Sequence, residues 1–175
     1  MADTGKILSK AQQEQFWRDG YLVIDGAVND ATLAKLRRQM DDWGEESREH
    51  TEPYGPPTVD GRPRFDMGEE HSAERPALRR INNPCEISEN FHAVMTNAPM
   101  VDMVADLIGP DVKYHHCKIN SKQPGSKMVV RYHQDFPYTP HTNDDVITAP
   151  MHGFLDADDY YARASSGPVL DRVAV

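Results

Sequence analysis

The order of the sequence patterns predicts an α+β fold, or a β-barrel preceded by helices. Up to about Pro110, apolar residues recur at the three- or four-residue spacing of helices, and beyond it they alternate as in strands. The 13 Pro and 11 Gly among 175 residues predict many turns and argue against a long coiled coil. We expect a single domain over residues 1–175, with a helical part over 9–110 and a strand-rich part over 111–175.

Four helices are predicted in the first part, and local end signals define most of their boundaries. Ser9 and Gln12 fit a capping box, and Gly20 ends the same helix. Pro99 suits the first turn of a helix that stops at Gly109. The predicted helices run over about 9–19, from Asp30 to Ser47, from Ser88 onwards and from Pro99 to Gly109.

The stretch between the second and third helices is predicted to be a long loop, at about 50–80. Five prolines interrupt it and no periodicity is visible. A loop of this length in a compact domain is usually a lid, a binding loop or disordered. An equal alternative is a solvent-exposed loop with no functional role. We expect residues 50–76 to lack regular secondary structure and to cover the barrel mouth or lie disordered.

Short runs of alternating or β-branched residues predict the strands. Tyr21–Ile24 is expected to form a buried strand ahead of the second helix. The remaining candidates lie at Val112–Asn120, Met128–Asp135, Asp145–Met151 and Val169–Val175.

Composition excludes several classes of function. The net charge of −9 argues against nucleic acid and anionic membranes as partners, because both attract clustered positive charge. The two cysteines, Cys85 and Cys117, are too few for a disulfide framework and are predicted to be structural. No apolar run is long enough to cross a bilayer, and the N-terminus does not read as a secretory signal. We therefore expect a cytoplasmic protein.

The most informative pair of residues is His133 and Asp135. Side chains two positions apart on a strand point to the same side, so this pair would present an imidazole and a carboxylate together. Such a pair supplies two of the three ligands of a 2-His-1-carboxylate Fe(II) site. The plainer alternative is a surface histidine beside a solvated aspartate.

Several ordered motifs around this pair resemble the phytanoyl-CoA dioxygenase family, which includes ectoine hydroxylase. The resemblance covers about residues 10–150. The matching segments are Asp19–Ile24, Leu107–Val112, His115–Asn120, Lys122–Gly125, Tyr132–Phe136 and Asn143–Thr148.

The resemblance implies a fold, co-substrates and residue roles. Family members fold as a double-stranded β-helix (a jelly roll of the cupin type) with N-terminal helices, and use Fe(II), 2-oxoglutarate and O₂ to hydroxylate a small molecule. It assigns His133 and Asp135 as the first two iron ligands and Lys122 as a contact for 2-oxoglutarate, whose carboxylate suits an ammonium group. A solvated turn lysine is the alternative for Lys122. An aspartate at 135 favours hydroxylation over halogenation.

Other residues carry weaker expectations. Met151 falls where family members line the co-substrate pocket. His116 falls where some members place a polar substrate contact, although a partly buried strand histidine is the commoner outcome. The pair Arg79-Arg80 could meet an anionic substrate or 2-oxoglutarate, although a solvated basic corner is favoured.

The resemblance weakens towards the C-terminus. The family requires a distal histidine and, about eleven residues later, an arginine that clamps 2-oxoglutarate. His152 and Arg163 have that spacing, but only 17 residues separate Asp135 from His152. A compressed site is therefore one interpretation, and the favoured one is a C-terminally shortened copy with a partial β-helix.

The sequence thus predicts an Fe(II)- and 2-oxoglutarate-dependent dioxygenase for a small organic or acyl substrate, incomplete in this chain. The alternative is a non-catalytic remnant or a small-ligand binding module of the same fold. We expect weak metal binding, low or absent turnover, and self-association through open sheet edges.

Overall fold

The computed structural model describes residues 7–121, 140, 142–143, 145–151 and 170–172, the last three by their backbone. The described chain divides into two compact units. Unit 1 contains the chain up to Leu33, the stretch Asn97–Lys113 and the described residues from 140 onwards. Unit 2 contains Ala34–Thr96 and residues 114–121. Within the described residues, no helix is long and apolar enough to span a membrane.

All four predicted helices are present, close to their expected bounds. Ser9 and Gln12 form the capping box of the first helix, and Gly20 ends it in the left-handed conformation at φ 82°. The Ser88 hydroxyl accepts the Phe91 N–H at the start of the third. The helices are α1 Lys10–Asp19, α2 Asp30–Glu46, α3 Glu89–Asn97 and α4 Pro99–Ile108.

Among the described residues, six short strands form two antiparallel three-stranded sheets, so the α+β class is confirmed. The sheet of unit 1 has the order β1-β6-β5, and the sheet of unit 2 has the order β2-β3-β4. The strands are β1 Tyr21–Leu22, β2 Phe65–Met67, β3 Leu78–Asn82, β4 Lys118–Asn120, β5 Ile147–Thr148 and β6 Leu170–Arg172.

The core of unit 1 is aliphatic apart from Phe16. It joins residues that are far apart in sequence, because α1 and α4 each present one apolar face to it. Ile24, Ile108, Ile147 and Ala149 pack against its margin. Its buried members are Leu8, Phe16, Leu22, Met103 and Leu107.

The core of unit 2 combines aliphatic residues, such as Leu36 and Ile81, with an aromatic cluster. The ring of Trp43, on α2, lies 5.5 Å from Phe91 in a stacked arrangement and 5.6 Å from Phe65 in an edge contact. Tyr54 stacks on Phe65 at 4.6 Å, and His50 stacks on Tyr54 at 3.6 Å. These contacts connect α2, β2 and α3 around the sheet.

The prediction that residues 50–76 lack regular structure is wrong at β2. Phe65–Met67 pairs with β3, and Tyr54 forms an isolated bridge with Phe65. The burial of Phe65, which is 4% exposed, explains why this stretch is ordered despite its prolines. The strands therefore do not all follow the helices, since β2 and β3 lie between α2 and α3 in sequence. The expected cover over a barrel mouth stays a prediction.

The predicted strands are present but shorter where the structure describes them. Tyr21 and Val23 are exposed while Leu22 is buried, so the first strand alternates and is not buried throughout. β4 occupies only the end of the predicted 112–120 strand, because β3 offers partners only from Arg80 to Asn82. The predicted strand at 128–135 lies outside the described residues.

Candidate functional site

The residues with the most specific predicted roles lie outside the described part of the chain. These are the iron ligands His133 and Asp135, the 2-oxoglutarate contact Lys122, and the alternative pair His152 and Arg163. Their roles stay predictions. Within residues 7–121 and the short described stretches after 139, no group of three or more His, Cys, Asp or Glu side chains could hold a metal ion.

The structure does describe the strand that leads to Lys122. β4 pairs with β3, and beyond its end the Ser121 N–H donates to the Arg79 carbonyl at 3.0 Å. The Arg80 Nε donates to Asn120 Oδ1 at 3.2 Å. The backbone is therefore held in register up to the residue directly before Lys122.

The basic pair Arg79-Arg80 is part of this sheet. Both side chains are half-buried on β3, so the expected solvated basic corner is wrong. Arg79 Nη2 forms an ion pair with Asp66 Oδ2 on β2, while Arg80 contacts the amide of Asn120 on β4. Asp66, Arg80 and Asn120 are partners across the three strands and so share one face. The sheet therefore holds the Arg79 guanidinium at the Asp66 carboxylate and the Arg80 guanidinium at the end of β4.

A buried arginine supports the turn between β3 and α3. Arg64 is 3% exposed, and its guanidinium donates to the carbonyls of Asn82 and Asn83, both at 2.9 Å. It also pairs with Glu86 at 2.7 Å. Asn83 adopts the left-handed conformation at φ 45°, which asparagine tolerates better than most non-glycine residues. The Arg64 hydrogen bonds hold the carbonyls on both sides of this turn position.

The turn that Arg64 supports brings the two cysteines together. Cys85 lies in the 3-10 helix Pro84–Glu86, and Cys117 directly precedes β4. Their Sγ atoms are 2.9 Å apart, and the Tyr114 hydroxyl lies 2.8 Å from the Cys85 Sγ.

These contacts change the acidity of all three groups. The pKa of Cys85 is lowered to about 6, mainly by hydrogen bonding with Cys117. Hydrogen bonding with Tyr114 acts in the same direction, whereas burial opposes it. Hydrogen bonding to Cys85, followed by burial, raises the pKa of Cys117. Burial is the main cause of a raised pKa at Tyr114. Cys85 is therefore the first of the three groups to deprotonate, because its sulfur accepts hydrogen bonds from both Cys117 and Tyr114.

The other predicted contact residues are less organised. His116 is exposed and precedes β4, so the expectation of a partly buried strand histidine is wrong. Its Nδ1 lies 2.5 Å from that of His115, which is also exposed. Met151 is half-buried in unit 1, three residues after β5.

Sequence reasoning missed Arg64, Asp66, Asn120 and Tyr114. The alternation of apolar and charged residues in Phe65-Asp66-Met67 was the available signal for β2. No local pattern distinguishes Arg64, because its partners Pro56, Asn82, Asn83 and Glu86 are 8 to 22 residues away in sequence.

Comparisons with known proteins agree with the resemblance carried by the motifs. The model of the phytanoyl-CoA dioxygenase family matches residues 16–157, which is more than half of the chain. A protein of Stutzerimonas stutzeri described as a probable alpha-ketoglutarate-dependent hypophosphite dioxygenase is 37% identical over 79 residues. That segment is 45% of this chain and 27% of the relative, so the match spans about a quarter of the relative's length.

Proposed function

This chain belongs to the phytanoyl-CoA dioxygenase family, and from that premise we propose that it contributes to an Fe(II)- and 2-oxoglutarate-dependent dioxygenase acting on a small organic or acyl substrate. The observation that carries the proposal is the family match over residues 16–157, a range that includes His133 and Asp135. The relative, itself described as alpha-ketoglutarate-dependent, supports the same co-substrate.

The proposed iron ligands fit the metal by the chemistry of their donors. An imidazole nitrogen from His133 and a carboxylate oxygen from Asp135 are the donor types of the facial triad. Bound Fe(II) and 2-oxoglutarate would supply the activation of O₂ that hydroxylation requires. We further propose that the family's jelly-roll architecture surrounds these residues, with the helices as its N-terminal part.

The protein's contribution to 2-oxoglutarate binding is proposed to come from Lys122. Its ammonium group is a compact charge for a carboxylate. The sheet register supports this role, because Arg80, Asn120 and Ser121 anchor the chain directly before that position. Anchoring reduces the conformational entropy that the lysine would lose when it binds its ligand.

A small oxyanion is a second candidate substrate class. The relative's description refers to hypophosphite, and this chain has a half-buried Arg80 beside the end of β4. Arginine is well suited to oxyanions because its planar group presents paired donors. Hypophosphite therefore belongs beside organic acids and acyl compounds in a substrate screen.

The rival proposal is a non-catalytic remnant or binding module of the same fold. Two protein ligands hold Fe(II) weakly. The candidates for the distal iron ligand and the 2-oxoglutarate clamp are His152 and Arg163, respectively, and they apply only if the site is compressed. We accordingly propose weak metal binding and low or absent turnover for these 175 residues. Cytoplasmic location and self-association through open sheet edges also stay predictions.

Anaerobic Fe(II) titration, followed by calorimetry with and without 2-oxoglutarate, tests the proposal. We expect weak binding that disappears in His133→Ala and in Asp135→Ala. The matched controls are His92→Ala and Asp111→Ala, since both residues are exposed in the described structure. Equal binding in all four variants would refute the proposed ligands.

The same samples distinguish an incomplete from a compressed site. Little metal-to-ligand charge-transfer absorbance with 2-oxoglutarate, and no succinate release in air, agree with the incomplete site. A strong band that His152→Ala abolishes would instead establish His152 as the third ligand, and Arg163→Ala should then weaken 2-oxoglutarate binding.

A further inference from the structure

The two thiols are held together by the backbone on either side of them. The Asn83 N–H donates to the Cys117 carbonyl at 2.9 Å, and the Cys117 N–H donates to Asn83 Oδ1 at 3.2 Å. These paired bonds fix the 3-10 helix that carries Cys85 against the start of β4. The resulting Sγ–Sγ distance of 2.9 Å is within an ångström of a disulfide bond, about 2.05 Å.

We propose that Cys85 and Cys117 form an oxidation site, at which a small hydroperoxide closes an intramolecular disulfide. The two thiols are not bonded to each other in the structure. The proposed reaction requires neither iron nor 2-oxoglutarate.

The first step oxidises Cys85. Its thiolate attacks one oxygen of the peroxide, the O–O bond breaks, and the departing hydroxide takes a proton to become water. Cys85 then carries a sulfenic acid. Cys85 is only 6% exposed, so the site admits a small oxidant such as hydrogen peroxide more readily than a bulky one.

The second step forms the disulfide. The Cys117 sulfur attacks the Cys85 sulfur, the S–O bond breaks, and the hydroxyl group leaves as water with the Cys117 proton. In total, the two thiols lose two electrons and two protons, and one hydroperoxide (here hydrogen peroxide) is reduced to two waters. Cys117 is half-buried 2.9 Å away, so it can react before the sulfenic acid is oxidised further.

The electrostatics support Cys85 as the residue attacked first. Donation from Cys117 and Tyr114 lowers the pKa of Cys85 to about 6, so its thiolate predominates at neutral pH. Hydrogen bonding to Cys85 raises the pKa of Cys117, so Cys117 stays protonated during the first step. This cause ends when Cys85 becomes a sulfenic acid, and Cys117 is then the neighbouring thiol that can attack it.

Intact mass spectrometry on the metal-free chain tests this site. Hydrogen peroxide is added in the presence of a chelator, and the protein is then unfolded and alkylated. We expect a product lighter by two hydrogens, about 2 Da, that takes up no alkyl group until dithiothreitol is added. The readout is unambiguous because the chain contains 2 cysteines.

Variants separate the two roles. Cys117→Ser should accumulate a sulfenic acid at Cys85 that dimedone traps, whereas Cys85→Ser should give little adduct at Cys117. At pH 6, the folded wild-type chain should form the disulfide roughly tenfold faster than the chain in urea, since the higher thiolate fraction outweighs the lower nucleophilicity.

Three results would overturn the proposal. They are independent sulfinic acids on both cysteines, a disulfide between two chains on a non-reducing gel, and equal rates for folded and unfolded protein. Each would show that the fold does not bring the two thiols together for this reaction.

Discussion

The two units are stabilised by different chemistry. Unit 1 has an apolar core in which most members are aliphatic, such as Leu22 and Leu107. Unit 2 combines aliphatic and aromatic core residues with buried polar side chains. The four buried polar or charged residues of the described chain, Ser47, Thr58, Arg64 and Ser88, all belong to unit 2.

This difference predicts different tolerance to substitution. An apolar core loses free energy in proportion to the volume removed, so swaps that conserve volume cost little. A buried polar network fails more abruptly, because removal of one partner leaves the others without hydrogen bonds. Unit 2 also holds both cysteines and the strand that leads to Lys122, so its polar order is directly relevant to function.

The largest expected effect is at Arg64. Arg64→Met should lower the free energy of unfolding by about 3–5 kcal/mol, because Glu86 and the carbonyls of Asn82 and Asn83 lose their donor. Urea unfolding measures this cost. Arg62→Met is the matched control, since the Arg62 side chain is 67% exposed and its ion pair with Asp60 is worth about 0–1 kcal/mol. Equal effects of the two variants would contradict the polar account of unit 2.

The next effect tests the apolar core of unit 1. Leu107→Ala should cost about 2–4 kcal/mol through lost burial and the cavity left behind. Leu107→Met keeps the volume and should cost less than about 1.5 kcal/mol. Arg64→Lys conserves charge and approximate length, and it should lower the free energy of unfolding more than Leu107→Met does. Equal losses in these two conservative variants would contradict the proposed difference between the units.

A smaller effect is expected at His71, which joins parts of unit 2. Its Nε2 lies 3.0 Å from the Ser47 carbonyl and 3.1 Å from the His50 carbonyl, while Nδ1 accepts the Ala77 N–H at 2.9 Å. His71→Ala should cost about 1–3 kcal/mol in urea unfolding, because these backbone groups lose their partner. The exposed His92 provides the control, and His92→Ala should change stability little.

The smallest expected change is in the dependence of stability on pH. The pKa of Cys85 is about 6 in the folded chain, below the unfolded value of about 8.5, so the unfolded state binds more protons between these values. This group therefore makes stability rise with pH from about 6 to 8.5, and its contribution is lost as pH falls through about 6.

Tyr114→Phe removes one donor to Cys85, which should raise the pKa of Cys85 and flatten that dependence, by about 1 kcal/mol or less. Urea unfolding from pH 6 to 8.5 measures the slope, and thiolate ultraviolet absorbance measures the pKa. Tyr21→Phe is the control because Tyr21 is exposed in unit 1. An unchanged thiolate pKa in Tyr114→Phe would contradict the role of this hydroxyl.

Local sequence signals were sufficient to predict the helices. Their ends depend on contacts within a few residues, such as the Ser9–Gln12 box, the left-handed Gly20 and Pro99 in a first turn. The motifs around His133 and Asp135 also indicate the family, and the family match over residues 16–157 confirms it. Both kinds of information are local in the chain, which is why a single sequence was sufficient.

The strands of unit 2, and the groups that they bring together, depend on tertiary contacts. Phe65–Met67 becomes a strand because β3 pairs with it, although the surrounding prolines predicted a loop. The buried Arg64 is held by four acceptors, which are three backbone carbonyls and the Glu86 carboxylate. Cys85 meets Cys117 across 32 positions of sequence. Strand pairing and polar burial depend on partners that are distant along the chain, so no local pattern specifies them.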